Sequence, residues 1–474
     1  MEALLDAADA LVRNGGDCPP RPDFPMPEAV PSSSQQIEEL LELKDSPTNK
    51  GKGWFARVKI VAGTVLIVAK PLAMAMDYEE DDGGDSEESE HDEDDEDLEN
   101  HKESKLNTIL LVQILEAIKN NPRIWSEQLS GMFPRTKGEI AELPAMTGRD
   151  PELSQQINSL LQGLENIPAI KGAVNEIFKR LPFIIRYNAL SVETCPELLS
   201  YPGSNGHASL GGVGLYHLPS FFNHNSRPNV SRWAVGDVMW FVANQDIEEG
   251  TEVCISYVEH DVLCESAHRR TLMLQMDFDE DGQYEDAAGE EEDGPAMPVV
   301  DAEVQNELMG ISVFERLDAI DELLLQAQGL SNPEDSDAME DEDTDAMETP
   351  GPGWFNIDIQ NLQIIKAITL EGLGQSKEAL ELWTECVNFT ESKLPPIDES
   401  SVAMQVQAAL CSLHIGETEK AKMHAQKALY VHDKLFGGGV RRLRRRYQND
   451  FKLSIRPASK QNSGPDPVDV LWPL

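Results

Sequence analysis

Cysteine is scarce in this chain and poorly placed for metal or disulfide chemistry. Its six cysteines, Cys18, Cys195, Cys254, Cys264, Cys386 and Cys411, include no Cys-x-x-Cys pair. That spacing argues against a zinc cluster and against a disulfide framework, so no metal is expected. Long apolar runs are also lacking. No stretch is long and apolar enough to span a bilayer, and no signal-peptide pattern opens the sequence. A reducing location, nucleus or cytoplasm, is expected, with no membrane partner. Positive charge is short too: 39 Lys and Arg stand against 85 Asp and Glu, a net charge of −46. Such a chain does not bind nucleic acid non-specifically, and a basic histone-like or ribosomal tail suits it better. The acids pile up at residues 77–103, 277–293 and 334–348. These runs repel themselves and offer nothing to bury, so they read as disordered spacers.

What is present divides into two or three domains at this length of 474 residues. Residues 1–12 read as a short amphipathic helix ahead of the Pro-rich segment 19–31. Lys50-Gly51-Lys52-Gly53-Trp54-Phe55-Ala56 is a glycine-punctuated turn leading into a strand. Residues 59–68 read as a hairpin turning at Ala62-Gly63. Two glycines one residue apart serve a plain turn or let backbone approach a ligand closely. Past the first acidic run the period becomes helical. Leu106, Ile109, Leu110, Val112, Ile114, Leu115 and Ile118 mark one amphipathic helix, and residues 153–164 and 173–185 two more.

Residues 211–216, Gly-Gly-Val-Gly-Leu-Tyr, read as a turn; no Lys-Ser/Thr follows, so they are not a phosphate loop. From Phe355 onward the pattern is helical again. Gly374 and Ala379 recur as Gly416 and Ala421, and Cys386 recurs as Ala428. Small residues repeating at about forty positions suggest two helix–turn–helix units of tetratricopeptide type, and plain helical hairpins fit equally well. Two units are too few to stand alone, so this block is expected to pack on the rest of the chain. Arg441-Arg442-Leu443-Arg444-Arg445-Arg446 is either a nuclear import signal or a solvated helix face.

The densest stretch is Ser220-Phe221-Phe222-Asn223-His224-Asn225-Ser226-Arg227-Pro228-Asn229-Val230. Met239-Trp240-Phe241-Val242-Ala243 follows, then a turn at Glu248-Glu249-Gly250, then Glu252-Val253-Cys254-Ile255-Ser256-Tyr257. Two β-like runs thus flank an acidic turn. The chain here resembles the two C-terminal motifs of SET-domain protein lysine methyltransferases. The first, Asn-His-Ser-Cys-x-Pro-Asn, stands as Asn223-His224-Asn225-Ser226-Arg227-Pro228-Asn229, with the Ser and Cys positions changed. The second, Gly-x-Glu-Leu followed by Tyr, is matched by Gly250, Glu252, Val253 and Tyr257. The turn at 50–56 is similar to the Gly-x-Gly turn that opens these domains. Tyr187-Asn188-Ala189-Leu190 resembles the Asn-x-Phe of the subgroup carrying SET and MYND modules (SMYD).

The resemblance implies an α+β fold: SET β-sheets with a helical insertion, followed by an all-α TPR-like region. The implied map is an N-terminal helix and Pro-rich segment (1–45), the first part of the SET domain (46–76), an acidic linker (77–104) and the helical insertion (105–190). The catalytic core with its post-SET segment (191–278), a second acidic linker with a short helical stretch (279–350), the helical repeats (351–437) and a basic tail (438–474) complete it. It implies S-adenosylmethionine as cofactor and a protein lysine as substrate. Lys50, Lys52 and Gly53 would touch the methionine end of the cofactor, and Asn223 and His224 the adenine end, largely through backbone. Asn188 is either a helix cap or a further cofactor contact. Phe278, near the aromatic position that precedes the end of the substrate channel in the subgroup, would be a further cofactor contact, and Tyr257 is the candidate catalytic residue. Pro228-Asn229 would fix a turn threaded through a preceding loop. The subgroup's MYND finger is missing, since no cysteine lies between Cys18 and Cys195, and so are the post-SET cysteines. A monomeric enzyme is expected; the alternative is a weakly active or inactive SET/TPR-type interaction scaffold.

Overall fold

The computed structural model describes residues 34–47, 51–76, 95–141, 143, 151–193, 211–235, 238–258, 260–265, 270, 299–300, 302–327, 354–447 and 466–473. The order of elements is α1 (Ser34–Leu40), β1 (Leu41–Asp45), β2 (Lys52–Ala56), β3 (Val65–Ala69), β4 (Ala73–Met76), α2 (Asp95–Asn120), α3 (Lys137–Ala141), α4 (Pro151–Glu165), α5 (Val174–Asn188), β5 (Ala189–Glu193) and β6 (Gly211–Leu215). There follow β7 (Asn223–His224), β8 (Val230–Val235), β9 (Val238–Ala243), β10 (Glu252–Ile255) and α6 (His260–Leu263). The helical remainder is α7 (Ala302–Gly310), α8 (Val313–Ala327), α9 (Asn356–Gly372), α10 (Ser376–Lys393), α11 (Ser400–His414), α12 (Thr418–Phe436), α13 (Gly439–Arg446) and α14 (Pro467–Leu471). The fold class is α+β, as the sequence implied.

Three small sheets run in the orders β1-β2-β10-β7, β3-β9-β8 and β4-β6-β5. Strand β9 explains how they share the molecule with the helices. All six of its residues are buried, and successive side chains on a strand point to opposite faces. Met239, Phe241 and Ala243 enter the core of the β body with Val253 and Ile255. Val238, Trp240 and Val242 face the other way, into a core shared with Val402, Val406, Leu435 and Phe436 of α11 and α12. Trp240 lies opposite Trp233 across the β8–β9 ladder, their rings stacked at 4.4 Å, and Phe436 meets Trp233 edge-on at 5.2 Å. The C-terminal helices therefore cover one face of a sheet whose other face is the interior of the β body.

The helical insertion packs on the β4-β6-β5 sheet, its Leu110, Ile114, Ile118, Leu164, Ile177 and Leu181 sharing one core with Ala75 of β4 and Leu215 of β6. The three helices expected there are α2, α4 and α5. Helix α2 starts at Asp95, inside the segment 77–104 taken as an acidic linker. Arg180 of α5 is buried and donates to the carbonyls of Pro134 and Ser130. It thereby fixes the loop that presents Phe133 to the end of α5.

Several other expectations change. The arms of the 59–68 segment do not pair with each other: Ile60 bridges to Ile247, and β3 pairs with β9. Gly63 keeps the turn, with φ +87°, and a Cβ there would meet Lys434 Cδ at 2.6 Å, because the turn docks on α12. Residues 211–215 are not a turn but the central strand β6, paired on both sides. Gly214 has no room for a side chain, since Tyr216 already lies 2.8 Å from that position.

Strand β1, assigned to the N-terminal segment 1–45, is the edge partner of β2. Within 279–350, expected as a linker with a short helical stretch, residues 302–327 form two helices, α7 and α8, which bury Leu308 and Ile320 against Leu362 and Ile365 of α9. The basic cluster is not a solvated face either. Arg442 and Arg446 are buried, and Arg444 donates to the Trp472 carbonyl and to Asp469. The acidic runs at 277–293 and 334–348 lie outside the described residues.

The two helical pairs repeat closely. Gly374 and Gly416 have φ of +77° and +89°. In each turn the following N–H reaches back five residues, Gln375 to Leu370 and Glu417 to Ser412, the Schellman closure that a left-handed glycine permits. Ala379, Ala421, Cys386 and Ala428 are fully buried at the helix contacts.

Candidate active site

Strand β7 is two residues long, and Asn223 and His224 are both of them. It pairs in parallel with β10, Cys254 opposite Asn223 and Ile255 opposite His224. A two-residue strand cannot hold this register by its own ladder, and side chains supply the rest. Asn229 donates from Nδ2 to the Glu252 carbonyl and accepts from the Cys254 N–H through Oδ1, each at 2.8 Å. One amide thus stands in for a missing strand partner. Removing it would strand two buried backbone groups at about 1–3 kcal/mol each.

Glu252 faces the other way. Its carboxylate accepts from Asn223 Nδ2 at 2.6 Å and from Ser46 Oγ at 3.1 Å. This pair presses on β2: a Cβ at Gly53 would lie 2.6 Å from Asn223 Nδ2 and nearer still to Glu252. Glycine is required at 53 because another residue's side chains occupy the space its own would take.

Tyr257 closes the group. Its N–H donates to His224 Nδ1 at 2.9 Å, and its hydroxyl donates to the Phe222 carbonyl at 2.8 Å. The two rings sit 5.4 Å apart, tilted by 43°. Burial, with the nearby Cys254 and Glu252, raises the Tyr257 hydroxyl above the usual phenol range. It is therefore a neutral hydrogen-bonding group across the physiological range. A cavity of about 180 Å³ adjoins the same segment, lined by Ser256, Val258 and His260 on one side and by Asp398, Glu399 and Phe436 on the other.

The family model for the SET domain matches residues 51–258. The chain contains a SET domain. A SET and MYND domain-containing protein from Dictyostelium discoideum is 32% identical over 92 residues, which cover 19% of this chain and 16% of that protein. The chain thus aligns with about a sixth of that relative's length, and the likeness supports a SMYD-like SET protein.

Within the SET domain, Gly53, Asn223, His224 and Tyr257 lie together. Asn223 and His224 are buried, 6% and 1% exposed. The Asn223 amide nitrogen and His224 Nδ1 are engaged within the protein, which is consistent with recognition through backbone. Lys52 is exposed at the start of β2, next to Gly51, which has a φ of +83° and Arg135 Nη2 3.9 Å from where a Cβ would stand.

Asn188 departs from a simple contact. It ends α5, and its amide nitrogen donates to Phe133 at 2.6 Å and to Ile184 at 2.8 Å. It caps, and only its oxygen is left to offer a ligand. Its carbonyl accepts from Ser220 Oγ at 3.2 Å, tying the insertion to the motif. Lys50 and Phe278 lie outside the described residues. Among the described residues no cluster of His, Cys, Asp and Glu could hold a metal.

Sequence reasoning used Glu252 and Asn229 only as landmarks. Their signal was present, a carboxylate and an amide at fixed motif positions, but their partners were not. Ser46 gave no signal.

Proposed function

We propose that the protein is an S-adenosylmethionine-dependent protein lysine N-methyltransferase. The observation that carries this reading is the Tyr257 hydroxyl held on the Phe222 carbonyl, one residue before Asn223-His224, inside a SET domain. S-adenosylmethionine supplies a methyl group on a sulfonium, from which sulfur departs as the lysine nitrogen bonds to carbon. The step asks the protein for alignment rather than for a nucleophile. Gly53 and the β2 backbone, with Lys52 beside them, would hold the methionine end, and the backbone of Asn223 and His224 the adenine end.

The lysine must attack as a neutral amine, and a desolvated position lowers its pKa toward that state. Tyr257, kept neutral by burial, and the Phe222 carbonyl form a fixed polar pair that orients the amine and stabilises the partly positive methyl. The proton lost by the amine leaves to solvent.

The substrate is a basic protein segment. The net charge of −46 favours such a partner, and Asp398 and Glu399 line the cavity beside the Tyr257 segment. The protein acts as a monomer in nucleus or cytoplasm, and its helical pairs are tetratricopeptide-like. Titration calorimetry with S-adenosylmethionine, followed by labelled methyl transfer into extract from cells lacking the protein, tests the reading. Binding and transfer support it; absence of cofactor binding removes it.

A further inference from the structure

The segment that follows Tyr257 is anchored on the C-terminal helices as well as on the SET domain. Leu263 and Cys264 are buried with Phe355, Ile357 and Leu394, and Val258 packs against the same cluster. The chain then ends this docking with a carboxylate. Glu265 is 2% exposed. Its Oε1 accepts the backbone N–H of Asn356 at 2.6 Å, and Oε2 lies 3.3 Å from Asn356 Nδ2. The same Asn356 amide donates to the Cys264 carbonyl at 3.2 Å.

Asn356 is the first residue of α9, a helix of 17 residues, and the first N–H groups of a helix have no partner within it. A buried carboxylate at that end is favoured by both the open donors and the helix dipole. The other half of the junction runs back to the first motif. Arg270 donates from Nη1 to the Glu265 carbonyl at 2.6 Å and from Nε to Ser226 Oγ at 3.2 Å. Ser226 lies two residues after His224. A continuous set of contacts therefore joins the motif loop, the segment carrying Tyr257 and the start of α9.

We propose that Glu265 is a positioning residue for methyl transfer, a strut by which α9 holds the Tyr257 segment at its working position. The inference rests on the methyltransferase reading and extends it: the C-terminal helices become part of the catalytic unit. Tyr257 is fixed on its other side by His224 and Phe222, so loosening the strut changes its aim while the β7–β10 pairing that presents Asn223 and His224 stays.

The test uses the full chain with Glu265→Ala and Glu265→Gln. Readouts are kcat, cofactor Kd, Tm and amide exchange over residues 254–263. A misplacement of about 1 Å can cost up to about 10²-fold, so Glu265→Ala is expected to lose about tenfold or more in kcat. Its cofactor Kd should stay within about twofold, since the contacts that define cofactor affinity are not touched. Exchange over 254–263 should quicken about tenfold, the sign of a local opening. Glu265→Gln keeps an oxygen for the Asn356 N–H and should lie within about threefold of wild type in kcat.

If the alanine protein does not fold, Asn356→Ala, which removes the side-chain half of the junction, must shift kcat and exchange in the same direction. Unchanged kcat and exchange overturn the proposal. So does a fall in kcat matched by equal losses of cofactor binding, which marks general destabilisation. If wild type transfers no methyl, the methyltransferase reading fails by itself, and unchanged exchange in Glu265→Ala would then separately refute the strut.

Discussion

Replacing Gly53 by alanine puts a methyl group where the Asn223–Glu252 hydrogen bond already lies. The added carbon would sit 2.6 Å from Asn223 Nδ2, with Glu252 Oε1 closer still. Both atoms end short side chains, but neither is free to swing away. Asn223 is 6% exposed, and its amide is held at 2.6 Å by the carboxylate, which also accepts from Ser46. Either the bond breaks or β2 shifts from β10. A hydrogen bond to a charged group is worth about 1.5–3 kcal/mol, and a factor of ten in affinity is about 1.4 kcal/mol. Gly53→Ala should therefore weaken S-adenosylmethionine binding by about tenfold or more, measured by calorimetry beside Tm. Gly416→Ala is the control. Its φ of +89° makes a side chain strained although the space is open. It should lower stability by about 1–2 kcal/mol and leave cofactor affinity alone. A folded Gly53→Ala protein that binds cofactor within about twofold of wild type would refute the reasoning.

Asn223→Ala should weaken cofactor binding by about tenfold, because the residue that fixes the backbone beside Glu252 is lost; an unchanged calorimetric Kd would contradict this. His432 is fully buried, and burial, with Arg442 nearby, lowers its pKa from 6.5 to about 3. The folded state therefore keeps it neutral where the unfolded chain binds a proton, so stability is lost as pH falls below about 6.5 and onward toward 3. Between pH 7.5 and 5.5 the loss is about 1.4 kcal/mol, and urea titrations of His432→Phe should show that much less acid sensitivity than wild type.

Short-range pattern made the motifs legible. Asn223, His224, Gly250 and Tyr257 sit within one stretch, and β9 announces itself as an apolar run. The α2, α4 and α5 helices and the Gly374/Gly416 repeat were equally readable, because periodicity and glycine turns are local properties. What escaped was non-local. Nothing within residues 59–68 says that Ile60 pairs with Ile247 while β3 pairs with β9. Glycines 211, 212 and 214 suggested a turn, but partners on both sides make a strand of them. The arginines of α13 read equally as a nuclear import signal or a solvated helix face, and only the folded chain places Arg442 and Arg446 inside. Glu265 and Asn356 are 91 residues apart, and neither carries a motif. Only the fold brings them together.

Methyl transfer by Tyr257→Phe against wild type tests the central claim most directly. The substitution removes one hydroxyl, which donates to Phe222 at 2.8 Å, and almost no volume. With labelled S-adenosylmethionine and a basic protein extract, wild type should transfer label, and the variant should fall by about 10²-fold, the scale of one preorganised polar group at a transition state. Cofactor affinity should hold, and stability should drop only by the loss of one hydrogen bond, about 1 kcal/mol. Transfer that persists unchanged in Tyr257→Phe would contradict the account.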